Sequence, residues 1–277
     1  MHASIIIPTY QGATLIPHAL KSLGTQSFTD FEVIIVIKPS GDGTEHKVRE
    51  ICDAINISYK ILIQKKGYFT HALNMGIKHA EGKIILFTDD DAVFPRNWVE
   101  SHILAHQKFS KCAAVSGFDI QYPLVAFGTT PFSLAKFELL SFLRRRWQFI
   151  KPIFSKPHYL FNKYRLGIYI TNDFKVTAGF GIPYKLCYSL PVKGVNMSFK
   201  RQIIDDLLFP VHPLLKVAPN NEQYFAAQLV LRGWDSIYNP DIKVYHIERS
   251  GLSKSPRNHF ERILIQLLLR ELLHGKP

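Results

Sequence analysis

Cysteine is scarce: the 277 residues hold three, at positions 52, 112 and 187. An odd number so widely spaced gives neither a disulfide framework nor a zinc-ligand pattern, and buried, reduced thiols are expected. No stretch comes near the roughly 18 uncharged apolar residues that a membrane-spanning helix requires, which excludes a span. The apolar run Ser4-Ile5-Ile6-Ile7 is cut by Pro8 and is too short for a secretory signal, so a cytoplasmic protein is expected. Acidic residues are also few: 22 Asp and Glu face 34 Lys and Arg, a net charge of +12. Internal repeats and low-complexity tracts are lacking, and 47% of the residues are hydrophobic. A disordered chain is thereby excluded, and one large domain, alone or with a subdomain, is expected.

What is present alternates. Ser4 to Pro8 and Phe31 to Ile37 read as buried parallel strands, with Leu15, Ala19, Leu20 and Leu23 at helical spacing between them. Lys47 to Ile55 reads as helical, Tyr59 to Ile63 as extended, and Thr70 to Ala80 as helical. Lys83 to Phe87 is a fourth apolar strand running into Thr88-Asp89-Asp90-Asp91. Such alternation predicts a doubly wound α/β half that presents ligand groups at the carboxyl ends of its strands. From Tyr122 to Tyr188 the texture turns basic, aromatic and proline-rich. Regular structure resumes with Val195 to Lys200, a helix from Asn221 to Arg232 stopped by Gly233, and a strand from Ile242 to His246. A last helix is punctuated by Ser255 and Pro256 at its start and Gly275 at its end.

Three adjacent carboxylates at a strand end repel one another, and they ionise most comfortably beside a divalent cation or a set of donors. In an extended segment Asp89 and Asp91 face one side while Asp90 faces the other. A solvated acidic turn is the bland reading; a metal-binding Asp-x-Asp pair is the sharper one. Glu222 either complements a helix dipole or acts as a general base. His246 is either a surface or core residue or a metal ligand.

Taken in order, Pro8-Thr9-Tyr10, Ser40-Gly41-Asp42-Gly43-Thr44, Ala72-Leu73-Asn74-Met75-Gly76, Asp89 to Asp91 and Trp98 form a series that resembles the family 2 glycosyltransferases of the GT-A fold. Lys193-Gly194-Val195-Asn196-Met197-Ser198-Phe199-Lys200-Arg201 looks like that family's acceptor-side segment, and Asn221-Glu222 before Gly233-Trp234 like its Glu-Asp helix. The likeness runs from Ser4 to Gly251 and lapses between Tyr122 and Tyr188.

The resemblance implies an α/β GT-A fold: a Rossmann-like, mostly parallel sheet flanked by helices, with a basic aromatic insertion and a C-terminal amphipathic helix. Its expected segments are 1–121 (nucleotide-sugar-binding half), 122–188 (insertion), 189–254 (acceptor-side half) and 255–277 (helix). It implies inverting transfer of a sugar from a nucleoside diphosphate to a hydroxyl of a sugar, polysaccharide or lipid-linked acceptor, with Mg2+ or Mn2+ as cofactor. Carried over, Pro8, Thr9, Tyr10, Asn74, Asp89 and Asp90 serve the donor nucleotide, and Asp91 and His246 the metal. Asn196 and Trp234 lie on the acceptor side, and Glu222 is the base. Two positions depart from the family pattern. Ile37-Lys38-Pro39 stands where paired acids are usual, and an ammonium cannot accept a ring N–H as a carboxylate does, which leaves the donor base open. Glu222 stands in an Asp place, one methylene longer.

Two segments suit a membrane surface as well as a core. Phe132, Leu134, Ala135, Phe137, Leu139, Leu140, Phe142 and Leu143 lead into Arg144-Arg145-Arg146-Trp147, which fits an anionic interface or a helix covering the sheet. Phe149, Phe154, Tyr159, Phe161 and Tyr164 alternate with Lys151, Lys156, Lys163 and Arg165 in the same character. In the last helix Phe260, Ile263, Leu264, Leu267, Leu268 and Leu272 read as the docking side, widened by Ile265, Leu269 and Leu273. A peripheral place on the cytosolic face of a membrane is the matching expectation. The competing readings are a nucleotidyltransferase and a basic, non-catalytic nucleic-acid or membrane binder. The first wants a Gly-rich phosphate loop that Pro8-Thr9-Tyr10-Gln11-Gly12 is not, and nucleic-acid binding makes no use of the Asp cluster.

Overall fold

The structure, a computed structural model, describes residues 1–123, 155–248 and 257–274. The readings placed on Pro131 to Trp147, on Phe149, Lys151 and Phe154, and on Ser255, Pro256 and Gly275 lie outside the described residues.

The chain opens with β1 (Ala3–Thr9), α1 (Ile16–Leu23), β2 (Phe31–Ile37), α2 (Thr44–Ala54), β3 (Tyr59–Ile63), α3 (Phe69–His79) and β4 (Ile84–Phe87). These four strands pair in parallel in the order β3-β2-β1-β4. β1, β2 and β4 are mostly apolar because both faces are covered, and the buried exception, Glu32, is met by Ser4 and Lys60. Ile6, Ile34, Val36, Ile85 and Phe87 enter one core with α3 residues such as Leu73 and Ile77, whereas Ile5, Ile7, Val33, Ile35 and Leu86 enter another with α1 and α2 residues such as Leu20 and Val48. Alternate residues of one strand feed opposite cores, the period-two rule at work.

β5 (Ala92–Val93), α4 (Trp98–Lys108) and β6 (Cys112–Pro123) follow. Next come the separate antiparallel pair β7 (Ile168–Ile170) and β8 (Val176–Ala178), then β9 (Cys187–Tyr188), β10 (Met197–Lys200), α5 (Arg201–Ile204), α6 (Asn221–Leu231), β11 (Asp235–Glu248) and α7 (Arg257–His274). β10 lies antiparallel between β4 and β6, and β11 runs parallel to β6, so the sheet continues past the Rossmann-like half as a mixed one. Helices cover both faces, which is the α/β architecture expected for the GT-A fold. Cys52 and Cys112 are buried and Cys187 is half-buried, all three as free thiols.

Two expectations about surface character change. Phe161 and Tyr164 are fully buried with Ile168, Tyr169 and Ile170 in the core that holds β4 and α6, while Tyr159 is 69% exposed. Only part of that aromatic run faces solvent. In α7 the buried stripe is Glu261, Ile265, Leu269 and Leu273, whereas Phe260, Ile263 and Leu267 are exposed. The docking side is therefore centred on the set read as a widening, with Leu264, Leu268 and Leu272 half-buried against the same core beside it. Among the described residues no helix is long and apolar enough to cross a membrane.

Candidate functional site

β4 ends at Phe87, and Asp89 to Asp91 follow at the carboxyl edge of the parallel half. Two residues of β5 then pair antiparallel with β11, setting Ala92 opposite His246 and Val93 opposite Tyr245. Ile247 N–H donates to the Asp91 carbonyl at 2.9 Å and locks the register. His246 is thereby placed over the acids: its Nε2 lies 3.0 Å from Asp91 Oδ1 and 4.0 Å from Asp89 Oδ2. Asp89, Asp91 and His246 each offer one ligand atom, all within 4.8 Å of one another.

The parallel ladder of β6 with β11 supplies the other side of the ring, since Asp119 pairs in register with Val244. Its carboxylate approaches His246 Nδ1 within 3.5 Å and is also ion-paired to Lys193. Burial by itself would push the Asp119 carboxyl up, but His246 and Lys193 outweigh it and hold it below the usual carboxylate range. Burial would likewise push His246 down; Asp119, Asp91 and Asp89 overcome it and raise the imidazole to about 10. With no ion bound the ring is a cation among three carboxylates, and a divalent ion ligated by Nε2 would take the place of its proton. Asp119 and Lys193 are site neighbours to which the sequence reading gave no role; the available signal was the acid Asp119 between Phe118 and Ile120.

Asp90 points the other way, although Asp90 and Asp91 form a turn between β4 and β5 and not the extended segment expected. It is 1% exposed and its Oδ2 accepts the Thr9 hydroxyl at 2.5 Å. Gly12 closes over this pair, and a Cβ there would run into Thr9 Oγ1 and the Asp90 carboxylate. Thr9 and Asp90 therefore join the ends of β1 and β4, with Pro8 buried inside β1. Tyr10, 44% exposed, is the residue of that trio that faces solvent. Beside it, Lys38 Nζ lies 5.9 Å from the Tyr10 ring and 5.0 Å from the Tyr68 ring, and donates to the Gly67 carbonyl at 3.1 Å.

Three more residues assigned by the resemblance, besides Pro8, Thr9 and Asp90, have partners within the fold. Asn74 was expected at the donor nucleotide, but its amide accepts from Phe209 N–H at 2.8 Å and donates to Phe209 carbonyl at 3.1 Å, tying α3 to the chain after α5. Asn196 was expected to help shape the acceptor side. It is 1% exposed: its Oδ1 meets Trp98 Nε1 and His102 Nε2, each at 2.9 Å, and its Nδ2 donates to Phe118 and Ile242 carbonyls at 3.1 and 2.9 Å. It joins α4 to β6 and β11. Trp234 was also expected on the acceptor side, yet it precedes the start of β11, where Asp235 pairs with Cys112. The β10 registers place Cys112 and Ile84 on the sheet edge opposite Asp89 to Asp91.

Glu222 sits in the first turn of α6, half-buried, after Asn220 in the left-handed region at φ 69°. Burial raises its carboxyl to about 7, with Gln223 and the Lys193 charge pulling it back only in part. Lys193 is thus the ion-pair partner of Asp119, and its charge is also felt at Glu222.

Comparison with known proteins agrees with this geometry. Over 93 residues the chain is 36% identical to the poly(ribitol-phosphate) β-N-acetylglucosaminyltransferase TarS of Staphylococcus aureus, a stretch that is 33% of this chain and 16% of that relative. The chain therefore spans only a small part of the curated relatives it matches. In solved structures it resembles TarS residues 1–349 in complex with UDP-GlcNAc, at a TM-score of 0.61 and 17% identity over 98% of this chain and 67% of that one. It also resembles a mannosyltransferase from Pyrobaculum calidifontis in complex with GDP-Man and Mn2+, at a TM-score of 0.63 and 20% identity over 99% of this chain and 65% of that one. At such identities these two likenesses establish the fold. The model of the glycosyl transferase family 2 matches residues 4–165, more than half of the chain, and with the fold and the acid–histidine site in agreement this protein belongs to that family.

Proposed function

We propose that the protein transfers a sugar from a nucleoside diphosphate to an acceptor hydroxyl with inversion at the anomeric carbon, assisted by Mg2+ or Mn2+. The observation that carries this reading is the convergence of Asp89, Asp91 and His246 at the carboxyl edge of the sheet. Two carboxylates and one imidazole suit a hard or borderline divalent ion, and Asp119 on the far ring nitrogen is the outer-shell partner such a ligand needs. A bound ion supplies charge neutralisation for the departing diphosphate.

The chain's own groups do the rest. Tyr10 offers an exposed ring for stacking, and Lys38 offers N–H donors, so the base contact there falls on an acceptor atom of the ring. Glu222, deprotonated above pH 7, removes the acceptor's hydroxyl proton. As it does, the oxygen bonds to the anomeric carbon and the bond to the diphosphate oxygen breaks with both electrons leaving on the phosphate. Thr9 with Asp90, and Asn196, hold the strands that carry these groups.

For the acceptor, a lipid-linked or polysaccharide hydroxyl at an anionic membrane surface is supported by the exposed Phe260, Ile263 and Leu267 beside exposed Arg262 and Arg270. The test of the reaction is release of nucleoside diphosphate from UDP-GlcNAc or GDP-mannose with Mn2+. Release that stops with chelator and in Asp91→Ala supports the assignment; full turnover in Asp91→Ala overturns it.

A further inference from the structure

Glu261 is an anomaly in its helix. It continues the buried row Ile265, Leu269 and Leu273 one turn toward the start of α7, yet it is a carboxylate, and it is 2% exposed. Burying such a group costs several kcal/mol unless donors meet it. Two do: Glu261 Oε2 accepts Val217 N–H at 3.0 Å and Ala218 N–H at 2.7 Å. These are backbone groups of the turn that enters α6, on which Glu222 sits. Ala218 lies at φ 51° and Asn220 at φ 69°, both left-handed, where an L side chain costs roughly 1 kcal/mol or more. The Ala218 carbonyl in turn accepts Asn221 N–H at 3.1 Å and Asn221 Nδ2 at 2.8 Å. Upstream, Phe69 N–H donates to the Lys216 carbonyl at 3.4 Å, so the turn is also tied to the start of α3.

A strained turn persists only where its surroundings over-determine it. Here one carboxylate from the far end of the sequence meets two of the turn's amides, alongside the ties from Asn221 and Phe69, and the residue delivered two positions past the turn is the base of the reading above. We propose that Glu261 is a positioning residue for Glu222: by holding the 217–220 turn it sets the place and the solvent access of the Glu222 carboxyl. The catalytic consequence rests on Glu222 being the base; the structural coupling does not.

The experiment uses the full chain labelled with 13C at glutamate carboxyls and titrated by NMR, with Glu222→Gln identifying the Glu222 signal. In Glu261→Gln the Val217 and Ala218 amides should exchange with solvent at least about tenfold faster. The Glu222 midpoint should fall by about one pH unit or more as water reaches the carboxyl. Turnover of whichever of UDP-GlcNAc and GDP-mannose is used should lose about tenfold or more in kcat with donor KM nearly unchanged. Glu261→Asp keeps the charge and shortens the arm, so a midpoint shift that it shares reports the turn and not the lost charge; it also serves if Glu261→Gln fails to fold. Freed amides with an unmoved Glu222 midpoint would overturn the proposal, as would amides that stay protected. Were Glu222→Gln to keep its turnover while the midpoint still followed Glu261, the base reading would fail and the positioning role would stand.

Discussion

Glu222 carries the sharpest consequence at the scale of single residues. Its folded carboxyl keeps a proton up to about 7, against 4.5 for the free side chain. Between those values the unfolded chain ionises first, so stability falls as pH rises through that window and the deficit is full above it. At pH 8 the cost is about 3 kcal/mol at most. Glu222→Gln should therefore melt higher than the parent at pH 8 and equally at pH 4, while losing about 100-fold or more in turnover. Equal melting at both values would remove the raised carboxyl from the account. Parent activity should rise with pH through about 7. Gln11 gives a second case: it is exposed at φ 56°, just after Tyr10. Gln11→Gly should relieve about 1 kcal/mol and raise the melting temperature by about 2 °C in a calorimetric scan.

At the scale of elements, the Asn196 amide is the knot between α4, β6 and β11, and Gly117 is what lets it close, since a Cβ there would meet Asn196 Nδ2 and the Ile242 carbonyl. His102 and His106, beside it, are driven down to about 4 and about 3 by burial and stay neutral. Asn196→Ala leaves two carbonyls, an indole N–H and an imidazole without their partner, and should cost about 3 kcal/mol or more, read from urea unfolding. An unchanged midpoint would show that the knot is dispensable. The same elements show what the sequence could tell. The strands of the Rossmann-like half were legible because a strand buried on both faces is apolar at nearly every position, Glu32 in β2 being the exception. Asp89 and Asp91 were legible because they follow a strand end; His246 was expected at a strand end too, but β11 runs on to Glu248 and holds it between β5 and β6. β6 and α4 were not: Cys112 to Pro123 mixes Ser, Gly, Asp and Gln into its apolar run, and the buried face of α4 carries His102 and His106. Nor could spacing reveal that Asn74 and Asn196 bond to backbone, because those partners are brought near only by the tertiary fold.

For the whole molecule, charge and apolar surface point the same way. A net +12 and the outward row Phe260, Ile263 and Leu267 predict that the protein cosediments with vesicles containing phosphatidylglycerol and not with neutral ones. Replacing those three by Ser should weaken binding without lowering thermal stability, since none packs inward; undiminished binding would move the contact elsewhere.

The central claim is that Asp89, Asp91 and His246 form a metal-dependent diphosphate site. Thermal unfolding of the full chain with Mn2+ and a panel of nucleoside diphosphates tests it, because a ligand of the native state alone raises the melting temperature. The account predicts a shift with one diphosphate that requires Mn2+ and disappears in Asp91→Ala. A shift of the same size in Asp91→Ala, or one indifferent to the metal, would contradict it.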